Sequence, residues 1–232
     1  MLIYQEVIKL KEITIDEALS LLLENIKNEE DLMKPENKWI LHSIYVGQAA
    51  KRIANKLDLN GEFALIIGYL HDIGRKINHN NHPIEGYNYL NSLGYTDIAR
   101  YSLTHSFLNN NISLTVGSGP KDKESYNFID NYLQSIKKDI FDNILQLCDL
   151  MCLETGFTTI EKRILDVIQR KGIGDYSYEH YMSLIDFRNW FELTTHCNLY
   201  DLFPEISKED LHNELFDKAI LLTMIKPKSL KK

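Results

Sequence analysis

The strongest constraint on this chain lies in residues 60–74. Phe63, Ala64, Leu65, Ile66, Ile67, Tyr69 and Leu70 stand there almost without polar interruption, ahead of His71 and Gly74. With Asn60 as cap, the stretch reads as a helix that is apolar nearly all round and stops at Gly74. Such a helix is stable in water only when other elements cover it. The rest of the sequence supplies helices for that task, because apolar residues recur at spacings of three and four and sustained alternation of period two is absent. The fold class expected is all-α, a bundle built around one buried helix.

The flanking elements follow from the same periodicity. Thr14 and Glu17 form a capping box that opens a helix carrying Ala18, Leu19, Leu22 and Ile26. A second helix spans 35 to about 57, with His42, Val46, Ala49, Ile53 and Leu57 on one face. His82-Pro83 starts a helix that Gly94 ends, and Thr96 caps the next, which carries Ile98, Tyr101 and His105. Residues 109–123, with Gly117, Gly119 and Pro120, read as the longest loop, a lid or a plain connector. Helices resume over 125–135 and 139–153, and Thr158 with Glu161 caps another that closes at Gly172. Aromatic-rich helices over 176–197 and 207 to about 224 form a C-terminal extension, and 226–232 is a frayed tail. The organisation expected is an N-terminal helix in 1–34, a core in 35–155 and an extension in 156–232 that packs on the core.

Composition narrows the function classes. The 26 basic and 33 acidic residues give a net charge of −7, which argues against general nucleic-acid binding. No apolar run reaches the roughly 18 residues of a membrane span, and the first residues lack a signal-peptide pattern. A cytoplasmic protein is expected. The three cysteines, Cys148, Cys152 and Cys197, include no Cys-x-x-Cys pair, which argues against a disulfide framework or a thiolate zinc site.

Chemistry concentrates in His42, the doublet His71-Asp72, His82, His105 and Asp149, spaced so that each falls on a different helix. Facing helices of a bundle can gather such side chains around a metal. Imidazole with carboxylate suits iron, manganese, zinc, nickel or cobalt. Taken singly, a histidine on an apolar face is more often a hydrogen-bonded core residue. Cys148 and Cys152 beside Asp149 read as small core residues. His180, His196 and His212 have no evident partners. Tyr87, Tyr89, Tyr95 and Tyr101, with Tyr176, Tyr178 and Tyr181, would suit nucleobase stacking but at helical spacing are more often core. The Gly117-Ser118-Gly119-Pro120-Lys121 segment lacks the Gly-Lys-Ser/Thr of a P-loop.

The run Leu70-His71-Asp72-Ile73-Gly74-Arg75 resembles the HD superfamily of metal-dependent phosphohydrolases, whose signature is a first His, a His-Asp doublet and a late Asp. The resemblance covers roughly residues 38 to 155 and implies an HD-like bundle in which His42, His71, Asp72 and Asp149 hold a first divalent metal. His82 in His82-Pro83-Ile84-Glu85-Gly86 and His105 are similar to the branch with two metals, where Asp72 would bridge. His79 is an alternative to His82. The metal would be one or two ions of Fe, Mn, Ni, Co, Zn or Mg. Two departures stand out: Thr104-His105-Ser106 replaces that branch's frequent His-His, and Arg75 replaces its Lys. The Gly-Tyr-Pro motif of the cyclic-dinucleotide subgroup is absent.

The resemblance implies hydrolysis of a small phosphorylated molecule, a nucleotide first, by metal-activated water, with catalytic roles for His71, Asp72 and Arg75. Arg75 would also bind the phosphate. Alternatives are a di-iron oxygenase of the HD type or a silent regulatory module that keeps its metal for stability. Beyond the substrate, no specific nucleic acid and no membrane is expected, and a homodimer is left open.

Overall fold

The computed structural model describes residues 11–115, 120 and 122–206. The helix expected over 207–224, the tail at 226–232, His212 and most of the Gly117 to Lys121 segment fall outside them. The described residues are all-α apart from one small hairpin, and none of their helices is long and apolar enough to cross a membrane.

At the N-terminal side, α1 (Ile15–Leu23) opens with the Thr14 and Glu17 capping box and buries Ala18 and Leu22. After a short α2 (Glu29–Leu32) and a 3-10 turn at Pro35–Asn37, α3 (Lys38–Lys56) runs antiparallel to α4 (Gly61–Leu70). Asn60 caps α4 by accepting from the Phe63 N–H, and every residue from Ala64 to Leu70 is buried. The α3–α4 pair makes the most extensive helix contact of the fold.

That contact is backbone on backbone. A Cβ at Gly68 would lie 2.4 Å from the Gly47 Cα, and one at Gly47 would lie 2.8 Å from the Leu65 carbonyl oxygen. Only glycine at both positions permits this approach. Because the helices are antiparallel, it brings the start of α3, with His42, beside the end of α4, with His71.

Here α4 ends at Leu70, earlier than the stop at Gly74 expected from sequence. The chain tightens instead into a 3-10 turn, Ile73–Lys76. Packing explains the difference: a Cβ at Gly74 would lie 2.1 Å from the His82 carbonyl oxygen and 2.4 Å from the Gly86 nitrogen, so the turn is pressed against α5 (His82–Ser92).

Helix α5 ends in a Schellman motif, with Gly94 at φ +85°, the Gly94 N–H on the Asn91 carbonyl and the Tyr95 N–H on the Leu90 carbonyl. The next helix, α6 (Thr96–Thr104), therefore starts with Tyr95 at its cap, without a side-chain bond, and Thr96 is its first helical residue rather than its cap.

Beyond the loop, α7 (Lys123–Ser135) begins two residues earlier than expected because Asp122 caps it. Asp139 and Asp142 form a capping box on α8 (Ile140–Leu150). The wholly buried Asp142 also accepts from Thr104 Oγ1 at 2.7 Å and pairs with Arg100, tying α8 to α6. The chain then makes a hairpin, β1 (Cys152–Leu153) with β2 (Gly156–Phe157), where sequence reasoning extended the helix to 153. Thr158 continues that pairing by donating its N–H to the Met151 carbonyl, so Thr159 takes the capping role on α9 (Ile160–Lys171). Gly172, at φ +76°, closes α9, and α10 (Ser177–Thr195) packs back on α8.

Gly68→Ala should lower stability by about 1–3 kcal/mol through overpacking at the crossing. A downward shift of the urea midpoint with unchanged slope would show it; an unchanged midpoint would mean that α3 and α4 can separate at no cost.

Candidate metal centre

Five helices each deliver one end to a single point. His42 lies near the start of α3, His71 and Asp72 directly follow α4, His82 is the first residue of α5, His105 caps the end of α6 and Asp149 lies at the end of α8. At helix ends the last carbonyls lack intrahelical partners. Two imidazoles use them: His71 Nδ1 lies 2.7 Å from the Gly68 carbonyl oxygen and His105 Nδ1 lies 2.9 Å from that of Ser102. His82 Nδ1 bonds the His79 carbonyl at 3.1 Å in the same manner. A carbonyl only accepts, so each Nδ1 carries the proton, and in the neutral ring each Nε2 turns a lone pair inward. This backbone anchoring is what orients histidines that ligate metals.

Those lone pairs meet carboxylate oxygens. Asp72 Oδ1 lies 3.0 Å from His82 Nε2 and 3.5 Å from His105 Nε2, while Oδ2 lies 3.7 Å from His71 Nε2. Asp149 Oδ1 accepts a hydrogen bond from His42 Nε2 at 2.8 Å and lies 3.7 Å from His71 Nε2. The Nε2 atoms of His82 and His105 are themselves 3.2 Å apart. His71 Nε2 and Asp72 Oδ1 are buried without a hydrogen-bond partner. The neutral-ring lone pairs of His71, His82 and His105 facing the Asp72 oxygens repel unless positive charge sits among them. The donor set therefore fits a divalent cation, and three overlapping groups have ligand atoms within 4.8 Å: His42, His71 and Asp72; His71, His105 and Asp149; Asp72, His82 and His105.

Electrostatics carries the same demand. Burial works against ionisation of Asp72, yet Arg75, His71, His82 and His105 hold its carboxyl well below the usual range. Burial likewise opposes the charge on Asp149, and His42 and His71 overcome it. For His71, burial favours the neutral ring, but Asp72 and Asp149 together raise its pKa, so these carboxylates recruit a proton where a cation would serve. Burial pulls His105 down to about 4, leaving it a neutral donor.

All six ligand candidates read from sequence come together. His79 does not join the cluster; its carbonyl orients His82 instead, although its side chain reaches the same cavity. Arg75 donates through Nε to Asp72 Oδ2 at 2.5 Å, so the guanidinium expected to meet phosphate is first a partner of the shared carboxylate. Ser106, standing where a second histidine is frequent, has its hydroxyl 2.9 Å from His105 Nε2. Cys148 and Cys152 are free and buried, with thiol pKa values pushed well up by burial.

The cluster lies in the wall of an open cavity of about 390 Å³. Sequence reasoning missed several of its lining residues: Lys38, Arg163, Arg170, Lys171 and His180. His180 is buried on α10, with Nδ1 3.2 Å from the Leu114 carbonyl oxygen. No local pattern marks it, and the α9 cations alternate with apolar residues as on any solvated helix face. Tyr87, Tyr89, Tyr95 and Tyr101 are absent from the lining. Tyr95 and Tyr101 are core, and the Tyr101 hydroxyl bonds Asp139.

The model of the HD domain family matches residues 39–152. That span holds every member of the His–Asp cluster and Arg75, and it stops before α9. Comparison with curated proteins and with solved structures gave no match. The matched span, its helical fold and its convergent His–Asp cluster agree: residues 39–152 are an HD-type domain, of a superfamily whose domains bind divalent metals and are in general metal-dependent phosphohydrolases.

Proposed function

We propose that this chain is a metal-dependent phosphohydrolase of a small phosphorylated molecule, a nucleotide in the first instance. The observation that carries the reading is the set of inward-facing lone pairs around Asp72, open to a cavity that also holds Arg75. A purely structural metal site encloses its ion, whereas a catalytic one keeps a position open. The Asp149 side chain is 35% exposed and borders the cavity, which favours the open kind.

His42, His71, Asp72 and Asp149 would hold a first metal, and Asp72 with His82 and His105 a second. The two oxygens of Asp72 support a bridging role, because Oδ1 faces His82 and His105 while Oδ2 faces His71. A divalent ion held there supplies Lewis acidity toward a phosphoryl oxygen and a water acidified toward neutrality. Mixed nitrogen and oxygen donors without thiolate suit Fe, Mn, Co, Ni or Zn, with Mg the least favoured by imidazole.

The chain's own groups do the binding and orienting. Arg75 keeps Asp72 ionised through Nε, and its remaining N–H groups suit a phosphate oxygen, since a guanidinium donates in a fixed plane. The nucleotide reading draws support from the space beyond the cluster. A second cavity of about 490 Å³, bordered by Tyr176 and Tyr181, shares Thr115, Val167, Lys171 and His180 with the first.

His71→Ala and Asp149→Ala should each reduce metal-dependent hydrolysis of p-nitrophenyl phosphate by at least about 100-fold and lower the bound metal per chain, with the helical circular dichroism retained. Full activity in either purified variant would overturn the site. Substrate-dependent oxygen uptake without phosphate release would point to an oxygenase instead.

Arg75→Lys keeps the charge but loses the planar fork. It should raise KM on the order of tenfold while metal content stays near that of the parent. Loss of metal with unchanged KM would instead confine Arg75 to holding Asp72.

A further inference from the structure

We propose that α9 builds a second anion site facing the His–Asp cluster, so that the preferred substrate carries a further phosphate or equivalent negative group beyond the one at the cluster. The proposal deepens the phosphohydrolase reading and rests on it for the place of the first phosphate.

Arg163, Val167, Arg170 and Lys171 follow one another at helical spacing, and all four line the cavity that holds Asp72 and Asp149. Ile160 and Ile164, on the same side of the helix as Val167, are fully buried and fasten it to the core. The helix is also pinned at its start. The Tyr200 hydroxyl accepts from the Ile160 N–H at 3.1 Å and donates to Glu161 at 2.6 Å, and Glu161 pairs with Arg188. From Arg163 to Lys171 the helix advances about 12 Å, so its cations form a wall rather than a point.

The charge balance of the cavity is what calls for an anion. Lys38, Arg75, Arg163, Arg170 and Lys171 face three carboxylates, Asp72, Asp149 and Glu154. Asp72 is taken by Arg75 and the imidazoles, and Glu154 pairs with Lys38 at 3.4 Å. On α9 a single carboxylate serves two guanidiniums: Asp166 accepts from Arg163 Nη1 at 2.5 Å and from Arg170 at 2.6 and 2.9 Å. One positive charge is left over there, and Lys171 adds another. Arg163 is further under-satisfied, because its Nε is buried without a hydrogen-bond partner. In a chain of net charge −7, such a surplus opposite a metal-ligating cluster would repel any bound cation unless anions lie between. A single phosphate at the cluster and Arg75 leaves the α9 wall uncompensated; a second negative group meets it. The adjoining cavity that shares Lys171, Val167 and His180 gives room for a molecule long enough to present both.

The test is calorimetric titration of the full chain, loaded with manganese, using hexyl phosphate and a series of α,ω-alkanediol bisphosphates of two to eight carbons. At the matching length the bisphosphate should bind at least about tenfold more tightly than hexyl phosphate, the increment of one charge-assisted contact. Arg163→Gln and Arg170→Gln, each checked for an unchanged melting temperature, should shrink that advantage to about twofold and leave hexyl phosphate binding as it was. Arg170 is half exposed, so its replacement keeps the test open should Arg163→Gln fail to fold. No advantage at any length, no binding of either probe, or an advantage untouched by both substitutions would overturn the second site and reduce the Asp166 pairs to helix support. An arginine-dependent bisphosphate advantage in a protein that hydrolyses no phosphate ester would keep the anion site and remove the hydrolase reading.

Discussion

The contact between Gly47 and Gly68 sets the geometry on which the rest of the molecule depends. Two backbones touch there, so the ends of α3 and α4 lie closer than side chains elsewhere in a helix pair would allow. His42 and His71 bring their ring centroids to 5.4 Å as a direct result. The same economy of volume recurs at Gly74, where the turn after Asp72 meets the first turn of α5 and so carries His82 toward Asp72. Ser102 closes the arrangement by donating to the His71 carbonyl at 2.8 Å, which holds α6 and its terminal His105 against the doublet. Small residues thus act at a distance from the chemistry, by permitting helix ends to converge.

Convergence has an electrostatic cost. Two carboxylates and several imidazole lone pairs held within a few ångströms of one another oppose folding unless a cation or protons neutralise them. The chain accepts this and offsets it locally: Arg75 beside Asp72, and backbone carbonyls that hold His71, His82 and His105 in one tautomer. The surrounding core is correspondingly inert, with Ile53, Ile67, Leu70, Ile73 and Leu147 excluded from solvent. Frustration confined to one cluster inside a well-packed frame is the pattern of a site built for a ligand rather than for stability.

What could be read from the sequence was whatever has a local cause. Thr14 with Glu17 and Asn60 before Phe63 are caps whose partners lie three residues away, and both formed as expected. His42, His71, Asp72, His82, His105 and Asp149 were legible because a short motif and helical spacing assign each to an inward face or a helix end. Errors arose where a distant partner decided the outcome. Gly74 did not end α4 because its true neighbours are His82 and Gly86; Thr158 did not cap α9 because Met151 claims its N–H; the hairpin at Cys152 to Phe157 has strands of two residues, too short for any period to register. The cations of α9 escaped notice for the related reason that nothing in a helix pattern says whether its polar face looks at solvent or into a cavity.

Under the proposed function, metal binding and substrate choice fall on different stretches of the chain. The span matched by the HD family, 39–152, contains the His–Asp cluster, while α9 and α10 lie beyond it and contribute Arg163, Arg170, Lys171 and His180 to the same cavity. A metal cluster alone discriminates weakly among phosphorylated molecules, since it addresses only the group they share. Under the proposed function, discrimination would come from contacts to the remainder of the ligand, and α9 supplies part of the cavity wall available for them. Substitutions there would, under the proposed second anion site, alter which molecules are accepted without disturbing the Gly47–Gly68 contact or the histidine tautomers. The reverse does not hold, because the cluster's geometry is shared by five helix ends that cannot shift independently.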